Sequence, residues 1–318
     1  MAHFPKKILV TPRSLTQNGH PALKRFAEAG YEVVMSRPGV QPSEAELIGL
    51  LPGCVGMLAG VEPITSKVLN AAVDLKVIGR NGVGVDNIDL EAARRLGIRI
   101  CPAVGSNARG VAELTIGLML ALARSMPFHD AALKEGRWER RNGFELEGKT
   151  LGLLGCGRIG RDVARMALGI GMRVLAFDPV QDKTFAPGAD FRYAAMEEVL
   201  KSSDVISLHC PPPKDGRALI DSQAIAEMKK GVLLVNTARA ALLDERAVLD
   251  ALEGGLVGGL ATDVFDREPP GDNPLIRHSR VIATPHIGGY TVQSVDRAVT
   301  TAVKMMLECL QGWAKEKE

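Results

Sequence analysis

Residues 150–179 read TLGLLGCGRIGRDVARMALGIGMRVLAFDP. The apolar run 151–154 predicts a strand. Gly155, Cys156, Gly157, Arg158, Ile159 and Gly160 follow it and lead into a helix whose inner side carries Val163, Ala164, Met166 and Ala167. A second strand, RVLAFD, ends at Asp178, 18 positions beyond the last of these glycines. Each glycine has a separate physical task in this arrangement. Gly155 permits the tight turn, Gly157 lets a pyrophosphate approach the backbone, and Gly160 lets the helix pack on the strand. The pyrophosphate then lies on a helix N-terminus, where unpaired N–H groups and the helix dipole favour an anion. Asp178 is placed to accept hydrogen bonds from the adenosine ribose hydroxyls. It would repel a 2′-phosphate, so the expected cofactor is NAD and not NADP. A glycine motif alone is common; the strand before it, the helix after it and the acid at the next strand end make it a dinucleotide fingerprint.

The same alternation extends in both directions. Strands are expected at 7–11, 31–35, 55–59, 76–79 and 98–100, with helices at 21–29, 42–51, 65–72 and 89–96, and Ser43 is the expected N-cap of the second of these helices. A long helix is expected over 107–126, and alternation resumes after it until about 283. Strand–helix alternation is the pattern of parallel sheets with right-handed crossovers. The number of units calls for two domains. The expected fold class is therefore α/β, with two Rossmann-like, doubly wound parallel-sheet domains. The pattern breaks at 101–107 and again at 285–290, and the tail 291–317 reads as one helix, expected to return to the first domain.

Three later strand ends carry polar residues. Asn236, Thr237, Ala238 and Arg239 follow VLLV; Asp263 ends a strand before a proline-rich loop holding Glu268; His286 follows VIATP and precedes Gly288 and Gly289. Strand ends are where open α/β sheets bind ligands. The guanidinium fork of Arg239 suits an anionic substrate and polarises a carbonyl. His286 suits proton exchange near neutral pH. Glu268 can orient such a histidine and stabilise its imidazolium. Each also has a plainer reading, as salt-bridge partner, loop charge or surface histidine. Of the six histidines (His3, His20, His129, His209, His278 and His286), His209 is the main competitor, but the three prolines after it mark a cofactor-flanking loop. No pair of histidines has helical metal-ligand spacing, so no metal is expected.

These motifs resemble the D-isomer-specific 2-hydroxyacid dehydrogenases over nearly the whole chain: GCGRIG with Asp178, NTAR with Arg239, DVFDREP with Glu268 and PHIGG with His286. The resemblance implies an Arg239, Glu268 and His286 catalytic set. It implies a nucleotide domain (104–290) inserted into a discontinuous, flavodoxin-like substrate domain (1–103 and 291–318), and a homodimer built around the long helix. It carries cofactor contacts to Gly155, Gly157, Arg158, Ile159, Gly160, Asp178, Cys210, Pro211, Thr237, Ala238, Arg239, Asp263, His286 and Gly288. Substrate contacts fall on Arg80, Asn81, Gly82, Val83, Gly84, Asn107 and Arg239. The stretches GRNGVGVDNIDLEAA, NARGVAELTIGLMLALAR and GRWERR look most like the D-3-phosphoglycerate dehydrogenases. By motif, 3-phosphoglycerate and its 2-oxoacid lead as the implied substrate pair. Unphosphorylated acids such as hydroxypyruvate or glyoxylate follow. A corepressor that senses NAD and binds peptides is a third reading, against which the full catalytic set argues. The chain departs from the phosphoglycerate pattern in three places. Ala240 follows the catalytic arginine where glycine is usual, Asn81 stands where alanine is common, and Glu62 puts a carboxylate where a cation is often found.

Composition agrees with this and excludes other classes. The 318 residues carry 39 Lys and Arg against 37 Asp and Glu, a formal net charge of +2, without the basic excess of a nucleic-acid binder. Hydrophobic residues make up 46%, enough for a folded core. Five cysteines, an odd number with no C-x-x-C pair, point to a reducing compartment, and the cytoplasm is expected. The N-terminus MAHFPKKILV lacks the apolar region of a signal peptide, and the apolar run 111–123 is too short to span a bilayer, so no membrane partner is expected. With a last residue at 318, a short form without an appended regulatory domain is expected.

Overall fold

The structure is a computed structural model, and it describes residues 6–315. Of the positions discussed above, His3 and the last residues of the expected C-terminal helix lie outside the described residues. The chain divides into two compact units, one of Met1–Asn107 with Thr291–Glu318 and one of Ala108–Tyr290.

The first unit holds five strands: β1 (Lys7–Val10), β2 (Glu32–Met35), β3 (Cys54–Ala59), β4 (Val77–Arg80) and β5 (Arg99–Pro102). All pair in parallel, in the order β2-β1-β3-β4-β5. The order reverses between β1 and β3. One face is covered by residues of the short helices, among them Leu47, Val68, Leu69, Ala92 and Ala93. The other is covered by the helix Val292–Lys315, whose Val299, Ala302, Val303, Met306 and Leu310 pack with Ile8, Val10 and Val77. A glycine in β4 makes room for it: a Cβ at Gly79 would lie 2.4 Å from the Met306 sulfur. The helix Glu44–Leu50 opens with a capping box, Ser43 receiving the Glu46 amide while the Glu46 carboxylate receives the Ser43 amide. The short helix Arg13–Asn18 was not legible in the sequence, because Leu15 is its one buried residue and leaves no apolar period to read.

The second unit holds seven parallel strands: β6 (Thr150–Leu154), β7 (Arg173–Phe177), β8 (Phe191–Tyr193), β9 (Val205–Leu208), β10 (Val232–Asn236), β11 (Val257–Thr262) and β12 (Val281–Ala283). Their order is β12-β11-β10-β9-β6-β7-β8, reversing between β6 and β9. Side chains alternate between two cores, as a pleat with both faces covered requires. Leu151, Leu153, Val174, Ala176, Leu233 and Val235 face the helices Ala108–Ala123 and Arg158–Gly169. Leu154, Leu175, Val232 and Leu234 face the opposite layer, with Val199, Ile225, Val248 and Leu252. Each leucine buried in this way contributes about 2 kcal/mol of apolar burial.

Two boundaries differ from the sequence expectation. The helix expected over 107–126 is two helices, Ala108–Ala123 and Met126–Lys134, bent by 66°. Pro127 has no N–H to continue the ladder. Ser125 adopts a left-handed φ of 48°, and the carbonyl of Ala123 accepts the amide of Phe144 at 3.1 Å instead. The domain break expected at 103/104 falls at 107/108. Residues 104–106 stay with the first unit because the Ser106 amide donates to Ala103 and the Ser106 carbonyl accepts Arg297 Nε at 2.9 Å. Among the described residues no single helix is long and apolar enough to cross a membrane.

Candidate active site

The glycine loop sits at the carboxyl end of β6, where the second sheet reverses order. Gly155 has φ of 101°, a left-handed conformation, and a Cβ there would lie 2.6 Å from the backbone of His209 after β9. At Gly160 a Cβ would lie 2.3 Å from the Gly155 carbonyl oxygen, so the first helical turn can rest directly on the loop. At Gly157 a Cβ would meet nothing within 4 Å. The loop is therefore tight behind and open in front. Gly157 is the N-cap of the helix Arg158–Gly169 and offers no side-chain cap, which leaves the first-turn N–H groups to a ligand. Arg158 and Ile159 lie at the outer tip, with Arg158 exposed.

Asp178, one residue past β7, accepts the Cys156 amide on Oδ2 and the Val180 amide on Oδ1, both at 2.8 Å. It is half-buried. Each carboxylate oxygen retains a second lone pair for a ribose hydroxyl. These residues fit a dinucleotide: an open glycine cradle, free helix amides and an acceptor at the next strand end.

After β9 come His209, Cys210 and Pro211. His209 Nε2 lies 2.9 Å from the Ser207 hydroxyl, while Nδ1 is buried with no partner. Burial pushes this imidazole down to about 3, so it stays neutral near pH 7 and cannot deliver a proton there. Burial also raises the thiols of Cys156 and Cys210, which removes both as thiolate nucleophiles.

After β10, the buried Asn236 folds the next turn onto itself. Its Nδ2 donates to the Arg239 carbonyl at 2.8 Å, and its Oδ1 accepts the Ala238 amide at 3.0 Å. The Thr237 hydroxyl lies 2.9 Å from that of Thr115 on the long helix, tying the turn to the core. Arg239 Nη1 donates to the Ala238 carbonyl at 2.7 Å. The arginine is thus mounted on a turn braced at three points.

After β11 and β12, the structure brings Glu268 and His286 together. His286 Nδ1 lies 2.9 and 2.8 Å from the two carboxylate oxygens of Glu268. Nδ1 carries the proton in this contact, since a carboxylate can only accept. Nε2 is then the nitrogen left for proton exchange. The two side chains are 51% and 39% exposed, so a substrate can reach them. His286 is one of two non-glycine residues with positive φ among the described residues, at 53°. Its conformation is held by Asp263, which is 1% exposed. One Asp263 oxygen accepts the Thr284 hydroxyl at 2.6 Å and the Ile287 amide at 2.8 Å; the other accepts the Gly288 amide at 2.7 Å. A non-glycine residue in this region costs of order 1–3 kcal/mol, and these bonds offset it.

The sequence reading marked Asp263 and Gly288 for the cofactor; in the structure their visible work is to shape the loop that carries His286. The bracing by Asn236, Thr115 and Thr284 was missed. The signal available was a polar residue at two otherwise apolar positions, Thr115 in the long helix and Asn236 at the end of β10, both buried in the structure.

The remaining expected residues lie in the first unit. Arg80 ends β4, and its Nη1 donates to the Asn81 carbonyl at 2.5 Å. Gly82 has φ of 151°, and a Cβ there would lie 2.6 Å from Arg80 Nη1. Val83 and Gly84 complete a half-buried loop, and Asn107 lies in the turn after β5, also half-buried.

The sequence model of the family described as D-isomer specific 2-hydroxyacid dehydrogenase, NAD binding domain, matches residues 116–288. The D-3-phosphoglycerate dehydrogenase of Homo sapiens is 38% identical over 295 residues, which cover 92% of this chain and 55% of that protein. The chain thus spans about half the length of that relative. The hydroxypyruvate reductase of Thermotoga maritima is 41% identical over 258 residues, covering 79% of this chain and 83% of that protein. Among solved structures, a glyoxylate reductase from Paecilomyes thermophila superposes with a TM-score of 0.84 at 27% identity, covering 96% of this chain and 95% of that one.

Proposed function

Because the chain belongs to the D-isomer-specific 2-hydroxyacid dehydrogenase family, we propose that it interconverts a short D-2-hydroxyacid and its 2-oxoacid with NAD. The observation that carries this reading is the His286–Glu268 pair at 2.8 Å, at the carboxyl edge of the sheet whose order reversal holds the glycine loop. Bound NADH supplies a hydride to C2 of the oxoacid, and NAD takes it back in the reverse direction. The protein's residues do the rest. His286 holds a proton on Nε2 and delivers it to the C2 oxygen as the carbonyl becomes a hydroxyl. Glu268 holds Nδ1, which fixes the ring and its tautomer. Arg239 takes the substrate carboxylate and polarises the C2 carbonyl with its planar fork. Gly155, Gly157 and Gly160 cradle the pyrophosphate, and Asp178 takes the ribose and disfavours a 2′-phosphate.

We assign the unit Ala108–Tyr290 to the cofactor and the discontinuous unit to the substrate, through the 81–84 loop. Self-association is supported by apolar side chains left exposed along the second helix of the bent pair and the segment after it: Met126, Leu133, Phe144 and an 80% exposed Trp138. We read the protein as a homodimer through this region. Five free cysteines suit a reducing compartment, and we place the protein in the cytoplasm.

Loss of NADH absorbance with glyoxylate, pyruvate, hydroxypyruvate and 3-phosphohydroxypyruvate tests the reading. Turnover is expected with at least one of these acids. No turnover with any of them would favour a binding role for the nucleotide domain and overturn the proposal.

A further inference from the structure

The first sheet has its own order reversal, between β1 and β3, and in open α/β sheets the space beyond such a reversal is where small ligands bind. Here the chain fills it with a carboxylate. Glu62, two residues beyond Gly60 at the end of β3, is 1% exposed. Its Oε1 accepts the Gly60 amide at 2.9 Å and the hydroxyl of Thr11, the residue after β1. Gly60 permits the fold-back, since a Cβ there would lie 2.7 Å from Oε2.

This carboxylate is physically joined to the 81–84 loop. The Asn81 amide donates to the Ala59 carbonyl at 2.9 Å. Asn87 Nδ2 bridges the two loops, donating to the Glu62 carbonyl at 2.7 Å and the Gly60 carbonyl at 3.3 Å. A short bridge between Ile64 and Ile88 closes the same region. Taking a carboxylate out of water carries a desolvation cost. Nothing in the packing of β1 on β3 needs a charge, because Thr11 and Gly60 could be joined by a neutral acceptor.

We propose that Glu62 is a specificity-determining residue that restricts the substrate to unphosphorylated short 2-oxoacids. The proposal rests on the assignment of the 81–84 loop to the substrate. A phosphate monoester brought to that loop meets a fixed negative charge that water screens poorly. A hydroxymethyl group carries no charge and meets no such repulsion. Hydroxypyruvate and 3-phosphohydroxypyruvate differ only in this group, so they isolate the effect.

The test is kcat/KM with NADH for these two acids, in the wild type and in Glu62→Gln. The glutamine keeps an acceptor for Thr11 and Gly60 and removes the charge. The wild type is expected to favour hydroxypyruvate by about a hundredfold, and the variant to narrow that ratio at least about tenfold, a loss of negative selection against one competitor. A purely structural role would lower both values and leave the ratio in place, which overturns the proposal. A wild-type preference for the phosphorylated acid overturns it without any variant. Should Glu62→Gln not fold, Glu62→Ala carries the same ratio test. Turnover of neither acid, nor of glyoxylate or pyruvate, would overturn the dehydrogenase reading itself, and that result is distinct from an unchanged ratio.

Discussion

The two sheets place the same feature, a strand-order reversal at their carboxyl edges, and treat it in opposite ways. In the second unit the edge between β6 and β9 is lined by Gly155, Gly157 and Gly160. Backbone packs tightly behind the loop, and open space lies in front of Gly157. In the first unit the edge between β1 and β3 is closed by Glu62, bonded to Thr11 and Gly60. One edge is shaped by side chains that are missing and the other by a side chain that is present. An open glycine edge accepts a large anion on backbone amides, whereas an edge closed by a carboxylate discriminates against anions. The fold offers two sites of one kind, and local residues decide which ligand each can take.

This contrast can be broken or sharpened at several residues. The largest effect is expected at His286, on the chemical edge of the second sheet. His286→Ala removes the proton donor and should lower kcat by roughly 10²- to 10⁴-fold, with NADH affinity by fluorescence titration unchanged; near-normal turnover would remove His286 from the reaction. Next is a matched pair of glycines. Gly155→Ala adds strain at φ 101° and a clash with rigid backbone. A cost of about 1–3 kcal/mol corresponds to roughly five- to 150-fold weaker NADH binding if it falls on the bound loop. Gly60→Ala meets the Glu62 carboxylate at 2.7 Å and the Pro12 backbone at 3.2 Å instead, and should alter the preference between acids while NADH affinity holds. Equal effects of the two on NADH would erase the contrast.

A smaller change is expected from Asp178→Ala. It should bring NADPH and NADH closer by about tenfold in kcat/KM, and weaken NADH as well, because the Cys156 and Val180 amides lose their acceptor. Unchanged discrimination would place cofactor choice elsewhere. The smallest effect concerns stability. His209 has an ordinary value of 6.5 but is held at about 3 in the folded protein. Between those values the unfolded chain takes up a proton that the folded one refuses, so stability is lost as pH falls through that window and is unaffected above it. Urea midpoints should fall less steeply from neutral pH toward about pH 5 in His209→Gln than in the wild type; parallel slopes would contradict the burial of this imidazole as the cause.

Much of the second unit was legible in the sequence, because its signals are local. A glycine at a turn, an acid at the next strand end and a histidine after a strand can each be read within a few residues. The spacing from Arg239 to Glu268 and on to His286 carried family information as well. What could not be read depends on contacts distant in sequence. Asp263 grips Ile287 and Gly288 across 24 and 25 residues, and Thr115 meets Thr237 across 122. Glu62 stood out in the sequence only as a carboxylate where a cation is often found, and its burial appears only when Thr11, 51 residues earlier, closes over it. The kink at Ser125 was foretold by Pro127, but the apolar period running to Ala123 obscured it.

The central claim is hydride transfer to C2 of a 2-oxoacid, with NAD on the glycine edge and the proton delivered from His286. Its most direct test uses NADH deuterated at the transferable position, hydroxypyruvate as acceptor, and mass spectrometry with chiral separation of the product. The account predicts D-glycerate carrying the deuterium at C2. Product without the label at C2, or product of the L configuration, would contradict it.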